Sequence, residues 1–178
     1  MIPPPTERLR FREMTDADLD HMADLLGDPD VMRHYPRPKT RDEALGWIRW
    51  NERNYAEHGY GLWIVESHTG EFIGDCGLTW QQVDGQQILE VGYHTARTMQ
   101  GRGYASEAAR ACVDLATGTI GESRVVAIIN PENTPSRRVA EKIGLRWEGD
   151  SRVRSLPVVI YGCGVRGAFP DQRRPPRG

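Results

Sequence analysis

The hydrophobic positions change period several times along the chain, and each change marks an element. Leu9 and Phe11, with the aliphatic part of Glu13, alternate against polar neighbours and predict a first strand. Leu19, Met22, Leu25 and Leu26 then recur at helical spacing behind Thr15, an N-cap three residues before Asp18, and Gly27-Asp28-Pro29 stops that helix. Pro36 and Pro38 punctuate the next segment, and Thr40 with Glu43 forms a T-x-x-E capping box. It opens a second helix through Ile48 and Tyr55 that ends before Gly59. Strands are predicted over 62–66 and 72–78, joined by a turn at 67–70. A polar stretch over 81–87 containing Asp84-Gly85 predicts a hairpin turn into a strand over 88–95. Gly92 inside that strand suggests a bulge or a close approach by a ligand.

A polar, glycine-bearing loop over 97–103 leads into a helix predicted over 104–117. Its Ala105, Ala108, Ala109, Cys112 and Ala116 gather on one side, which lets it lie close to a sheet. The β-branched run 125–129 predicts a buried strand, 133–143 a helix with Gly144 as its stop, and 145–153 with 157–165 a final antiparallel pair. The Arg- and Pro-rich stretch 168–178 predicts a frayed tail. No repeat or linker interrupts the pattern. It predicts one mixed α/β domain spanning 1–178, with its core over about 8–165.

Composition adds limits rather than a function. With 38% hydrophobic and 27% charged residues the chain has the make-up of a soluble globular domain. A net charge of -2 exerts no global pull on nucleic acid or acidic membranes, so an anionic ligand needs a local site. Cys76, Cys112 and Cys163 are odd in number and form no C-x-x-C pair, as expected of reduced thiols in a cytoplasmic protein. No apolar run approaches the roughly 20 residues that span a bilayer, and prolines at positions 3 to 5 with no apolar stretch argue against a signal peptide. His21, His34, His58, His68 and His94 show no metal-ligand spacing, so no metal is expected.

Two segments carry chemistry. Gln100-Gly101-Arg102-Gly103-Tyr104-Ala105 joins a strand to a helix. The first helical N–H groups lack internal partners and the helix dipole adds to their pull on an anion. Gly101 and Gly103 let the backbone curl around a pyrophosphate, and Arg97 and Arg102 offer charge-assisted contacts. A tight strand-to-helix connection explains the same residues. A formal G-x-G-x-x-G at 162–167 has no helix behind it and is a chance match. In the second segment Asn133 is a natural N-cap, Pro135 suits the first helical turn and Ser136 stays near the helix start; capping alone accounts for them.

The two segments together carry a resemblance. The Q-x-x-G-x-A run of Gln100, Gly103 and Ala105 resembles the pyrophosphate-binding motif of the GCN5-related N-acetyltransferases (GNAT). Asn133-x-x-Ser136 with Glu141-Lys142-x-Gly144-Leu145 is similar to the family's second cofactor motif, and Leu89-Glu90-Val91-Gly92-Tyr93 precedes both, like the family's bulged fourth strand. The subgroup most resembled is that of the ribosomal-protein N-terminal acetyltransferases. The resemblance spans about Arg8 to Val165 and implies a mixed sheet of six or seven strands with helices on both faces. Its fourth and fifth strands would splay around the pantetheine arm of acetyl-CoA. Backbone groups of Tyr93, His94 and Thr95 would pair with the arm, an N–H near Val91 would polarise the thioester carbonyl, and residues Gln100 to Ala105 with Asn133 and Ser136 would hold the rest.

By that resemblance the activity is acetyl transfer from acetyl-CoA to an amine acceptor by direct attack, and a homodimer is a common state of such proteins. The acceptor's identity stays open. A protonated amine has no lone pair, so a group must take its proton. Glu90, beside the expected bulge, is the candidate base, through a water; the other reading makes it a structural partner for an arginine. Many relatives place an acidic tyrosine seven residues after the motif's asparagine, where this chain has Ala140. Either Ser136 then serves the departing thiolate or no acid is needed, since a thiol pKa near ~8.5 makes a fair leaving group. Trp47, Trp50, Tyr55, Trp63 and Trp80 are core or acceptor-pocket residues. The rivals are a non-catalytic acyl-CoA-binding module, against which Glu90 argues, and a nucleotide-binding enzyme using the Gly101–Gly103 turn.

Overall fold

Capping fixes where the first two helices begin. In the computed structural model, which describes residues 1–164, Thr15 and Asp18 close a single 3-10 turn ahead of α1 (Leu19–Gly27). Thr40 accepts the Glu43 N–H at 3.2 Å while the Glu43 carboxylate accepts the Thr40 N–H at 2.8 Å, opening α2 (Arg41–His58). Gly59 closes it in the left-handed region at φ +80. The strands are β1 (Leu9–Arg12), β2 (Leu62–Ser67), β3 (Phe72–Val83), β4 (Gln86–Thr95), β5 (Arg124–Ile129), β6 (Arg146–Val153) and β7 (Leu156–Gly164). The remaining helices are α3 (Tyr104–Asp114), which widens into a π segment over Leu115–Ile120, and α4 (Thr134–Lys142). Gly144 N–H donates to the Glu141 carbonyl and Leu145 N–H to the Ala140 carbonyl, a Schellman closure of α4. The expected tail lies outside the described residues.

β3 and β4 run longer than the polar stretch 81–87 predicts. Only Asp84 (φ 50) and Gly85 (φ 77) form the turn, both in the conformation a two-residue hairpin demands. Alternation explains Gln82 and Gln87, a cross-strand pair on the solvent face, while Val83 and Ile88 on the other face pack on Val126 and Ile160; Gln86 is exposed at the hairpin end.

The sheet order is β1-β2-β3-β4-β5-β7-β6, antiparallel throughout except for β4 beside β5. That parallel pair is connected through α3, and it meets at one register position, Glu90 opposite Val126. Beyond it the two strands diverge, which is the expected splay. α3 and α4 pack one face of the sheet around Leu78, Leu89, Val91 and Ala127, while α1 and α2 pack the other around Leu62 and Ile64. Among the described residues no helix is long and apolar enough to cross a membrane.

The expected bulge at Gly92 is absent. The β3–β4 register runs unbroken from Gly74 opposite Thr95 to Val83 opposite Gln86, and Gly92 pairs with Gly77. The close approach falls on Gly77 instead, where a Cβ would lie 2.0 Å from the Gly61 carbonyl oxygen. Backbone cannot yield as a flexible side chain can. Gly77→Ala is therefore expected to destabilise the fold by about 1–3 kcal/mol. Thermal unfolding would register this as a Tm lowered by roughly 2–4 °C per kcal/mol in a domain of this size; an unchanged Tm would mean that β2 and β3 can separate freely there.

Candidate active site

The turn entering α3 leaves the first amides of the helix without a side-chain cap. Gly101 and Gly103 both adopt left-handed conformations (φ 76 and 84), and Gly103 is the N-cap of α3 with no side-chain cap. The N–H groups of Tyr104, Ala105 and Ser106 are thus left to an external acceptor. Gln100 turns inward and donates from Nε2 to the Thr95 carbonyl at 3.0 Å, fixing the loop to the end of β4. Arg8 fastens the other side: it lies over the Tyr104 ring, donates to Glu107 at 2.7 Å and to the Arg102 carbonyl at 3.0 Å. The Arg102 side chain is exposed and forms no ion pair among the described residues, whereas Arg97 is engaged by Asp28 and Asp30. Tyr93, Thr95, Tyr104 and Ala105 line one crevice beside this turn.

The edge of β4 turns alternate backbone groups to the opening. His94 N–H donates to Asp75 Oδ1 in β3 at 3.1 Å and Ala96 N–H to the Ile73 carbonyl, so the even-numbered amides face β3. The odd-numbered amides face β5: that of Val91 is spent in the Glu90–Val126 pairing, and those of Tyr93 and Thr95 face the side on which β5 diverges. His94 turns both its N–H and its imidazole away from that edge: the ring is buried on the α1–α2 face, with Nδ1 2.8 Å from Asp75 Oδ1.

Glu90 projects to the same face, opposite Thr79, at the last position where β4 and β5 pair. The residue keeps partial solvent contact, yet protein crowds its carboxylate and burial pushes its pKa up to about 8. The Ile128 N–H and the Gln81 side chain pull in the opposite direction without cancelling that effect. No arginine pairs with it among the described residues.

Across the opening, Asn133 Oδ1 accepts the Ser136 N–H at 3.2 Å, confirming it as the N-cap of α4. The Tyr93 hydroxyl donates to the Ser136 carbonyl at 3.0 Å, so β4 itself brings a phenol to the first turn of α4. Burial raises the pKa of this phenol and keeps it protonated. Ala140 is fully buried in the core, and the position that bears a tyrosine in many relatives does not face the opening here.

The family model for the acetyltransferase (GNAT) domain matches residues 8–146. The chain belongs to the GNAT family. Relatives of this GNAT acetyltransferase include YkkB of Bacillus subtilis (strain 168), 42% identical over 158 residues that cover 88% of this chain and 92% of that protein. The N-acetyltransferase p20 of Bacillus licheniformis is 30% identical over 81% of this chain and 82% of its own. Among solved structures, an acetyltransferase of Agrobacterium tumefaciens str. C58 superposes with a TM-score of 0.80 at 27% identity, covering 91% of this chain and 94% of that one. RimL, a ribosomal L7/L12 alpha-N-protein acetyltransferase in complex with coenzyme A, shares the fold at 17% identity and a TM-score of 0.73, covering 93% and 98%.

The residues expected from the sequence gather around the end of β4 and the heads of α3 and α4, and they are braced by side chains that no motif contains. Arg8 and Glu107, 99 residues apart, hold the α3 turn, and Tyr35, Trp47 and Asp75 surround His94. No local spacing announces such partners. Of the five aromatic candidates, Trp63 is wholly buried core, Tyr55 hydrogen-bonds the Leu62 carbonyl, and Trp80 Nε1 donates to the Tyr60 hydroxyl. Trp47, beside Trp50, alone joins the site by donating to Asp75 Oδ2 at 3.0 Å.

Proposed function

We propose that this acetyltransferase moves an acetyl group from acetyl-CoA to a primary amine, with both substrates bound together. One observation carries the reading: a carboxyl held at about 8, Glu90, stands where the parallel strands part. A base with a pKa near the working pH combines adequate ionisation with real proton affinity. The uncapped α3 terminus and the left-handed Gly101 and Gly103 fit a pyrophosphate, and the cleft-facing edge of β4 fits an amide-bearing arm. When bound, acetyl-CoA supplies the activated acetyl group.

The residues then divide the work. Glu90 takes the proton of the attacking amine, directly or through a water. The edge amide of Tyr93, the first beyond the β4–β5 pairing, polarises the carbonyl that is attacked. At the head of α4, the Ser136 hydroxyl is the donor for the departing sulfur, while the Tyr93 phenol gives its one proton to the Ser136 carbonyl and holds that turn in place. The test is thiol release from acetyl-CoA against chemically diverse amines, including peptides that begin with Ser, Ala and Thr. Release dependent on a primary amine supports the reading; acetyl-CoA binding with no release for any amine overturns it in favour of a non-catalytic acyl-CoA-binding module.

Because a thiolate is already a fair leaving group, Ser136→Ala is expected to lower kcat by only about tenfold, the value of one neutral hydrogen bond. Turnover measured at saturating acetyl-CoA checks it. Unchanged kcat with weakened acetyl-CoA affinity would reduce Ser136 to a cofactor contact.

A further inference from the structure

Beside Glu90 lies a hydrogen-bonded chain that the acetyl-transfer scheme does not use. Asp75, 1% exposed, is a carboxylate and can only accept; it receives Trp47 Nε1 at 3.0 Å, the His94 backbone N–H at 3.1 Å and His94 Nδ1 at 2.8 Å. His94 Nδ1 must therefore carry a proton. In the neutral imidazole this makes Nε2 an acceptor, and its partner is the Tyr35 hydroxyl at 2.9 Å. Tyr35 is the donor in that bond, which leaves the lone pairs of its oxygen unused.

The position of that oxygen matters. Tyr35 belongs to the segment between α1 and α2, which crosses the opening: it meets β4 at His94, and the neighbouring His34 carbonyl accepts Asn130 Nδ2, just past β5, at 3.3 Å. Tyr35 keeps 45% of its surface exposed. Its hydroxyl lies near enough to Glu90 and Asp75 for their charges to add to burial in raising its pKa, so it remains a neutral phenol. Between Glu90 and His94 on this face of β4 stands Gly92, where even a Cβ would meet nothing closer than Leu62 Cδ2 at 3.7 Å. The side-chain-free position at Gly92 is thus a small pit in this face of β4, with Glu90 on one side of it and His94, carrying the Tyr35 oxygen, on the other.

We propose that Tyr35, oriented by the His94–Asp75 pair, is a second catalytic residue that accepts one N–H of the acceptor amine while Glu90 accepts the other. This inference rests on the amine-acetylation reading above. A neutral primary amine has two N–H groups and one lone pair. Two acceptors on opposite sides fix both N–H directions, and so aim the lone pair out of the pit toward the strand opening. Glu90 then removes its proton as the new C–N bond forms, and Tyr35 keeps its own. A secondary amine offers one N–H, which Glu90 alone can take. The site therefore selects primary amines, and His94 and Asp75 are positioning residues.

Tyr35→Phe removes the hydroxyl and retains the ring that packs on His94 at 5.3 Å between centroids. Glycinamide and its N-methyl counterpart sarcosinamide are the probes. The variant is expected to lose about tenfold in kcat/KM for glycinamide, the worth of one hydrogen bond, and much less for sarcosinamide, at unchanged acetyl-CoA KM. Equal losses for the two amines, or none for glycinamide, overturn the proposal. A second measurement needs no acceptor. The ¹⁵N spectrum of the His94 imidazole should show the proton on Nδ1, with a Nε2 resonance that moves in Tyr35→Phe. A proton on Nε2 would make the Tyr35 oxygen the acceptor of that bond and overturn the proposal even if neither amine is acetylated by the wild-type protein. Failure of the wild-type protein on every amine, by contrast, defeats the amine-acetylation reading itself.

Discussion

Glu90→Gln is expected to lower turnover at pH 7 by about 10²–10⁴-fold, the range of a positioned acid–base group, with little change in acetyl-CoA affinity. The amide keeps the shape and the polar contacts of the carboxyl near Gln81 and Ile128 and removes only the proton acceptor. With its pKa at about 8, the wild-type activity should climb as pH rises toward 8 and level above it. The variant should lack that step and retain only the dependence set by the amine's own ionisation. Stability gives an independent check of the same pKa. A carboxyl whose folded pKa lies above its unfolded value near ~4.3 binds its proton more tightly in the native state. The unfolded chain therefore carries fewer protons between those two values, and stability must fall as pH rises through that window. Glu90→Gln removes this loss, so its Tm relative to wild type should rise from pH 5 to pH 8. Parallel Tm curves for the two proteins, with wild-type turnover across pH, would make Glu90 a purely structural residue.

What the sequence reveals about this fold depends on the range of the interactions concerned. Capping contacts act between residues i and i+3, so the Thr40–Glu43 box and the Asn133 N-cap on the Ser136 N–H are readable, and both form. Gly144 ends α4 through bonds to Glu141 and Ala140, again within one turn. The α3 loop is legible because its glycines are needed at two left-handed positions, 101 and 103. Gly92 is not, since a strand glycine signals either a bulge or a close approach and cannot say on which strand the approach occurs; here it occurs on Gly77, its partner. The π widening after Asp114 leaves no mark in the helical periodicity. His94 shows the limit most clearly: its partners lie 19 residues away at Asp75 and 59 away at Tyr35, and only the pairing of β3 with β4 and the path of the α1–α2 segment bring them together.

Gly103→Val tests the cofactor end of the site, and it is expected to raise the Kd for acetyl-CoA by at least about 10²-fold. Gly103 sits at φ +84, a conformation in which a β-branched residue is strained by about 1–3 kcal/mol. A valine there can relieve strain only by rotating the peptide that leads into Tyr104, which re-aims the first amides of α3 away from their common point. Each of those amides, donating to a charged phosphate, contributes about 1.5–3 kcal/mol, so losing two of them exceeds the ~2.7 kcal/mol that a hundredfold change represents. Crowding adds little, because the new Cβ would approach the flexible end of Arg8 at 3.4 Å and nothing closer. Strain alone is separable by a control. Gly85, at φ +77 in the β3–β4 turn with open space around it, carries the same conformational demand far from α3. Gly85→Val should therefore lower Tm and leave the Kd intact, whereas Gly103→Val should change the Kd at a temperature where both variants are folded. Equal affinities in the two variants would move the phosphates away from the α3 terminus and require another site for acetyl-CoA.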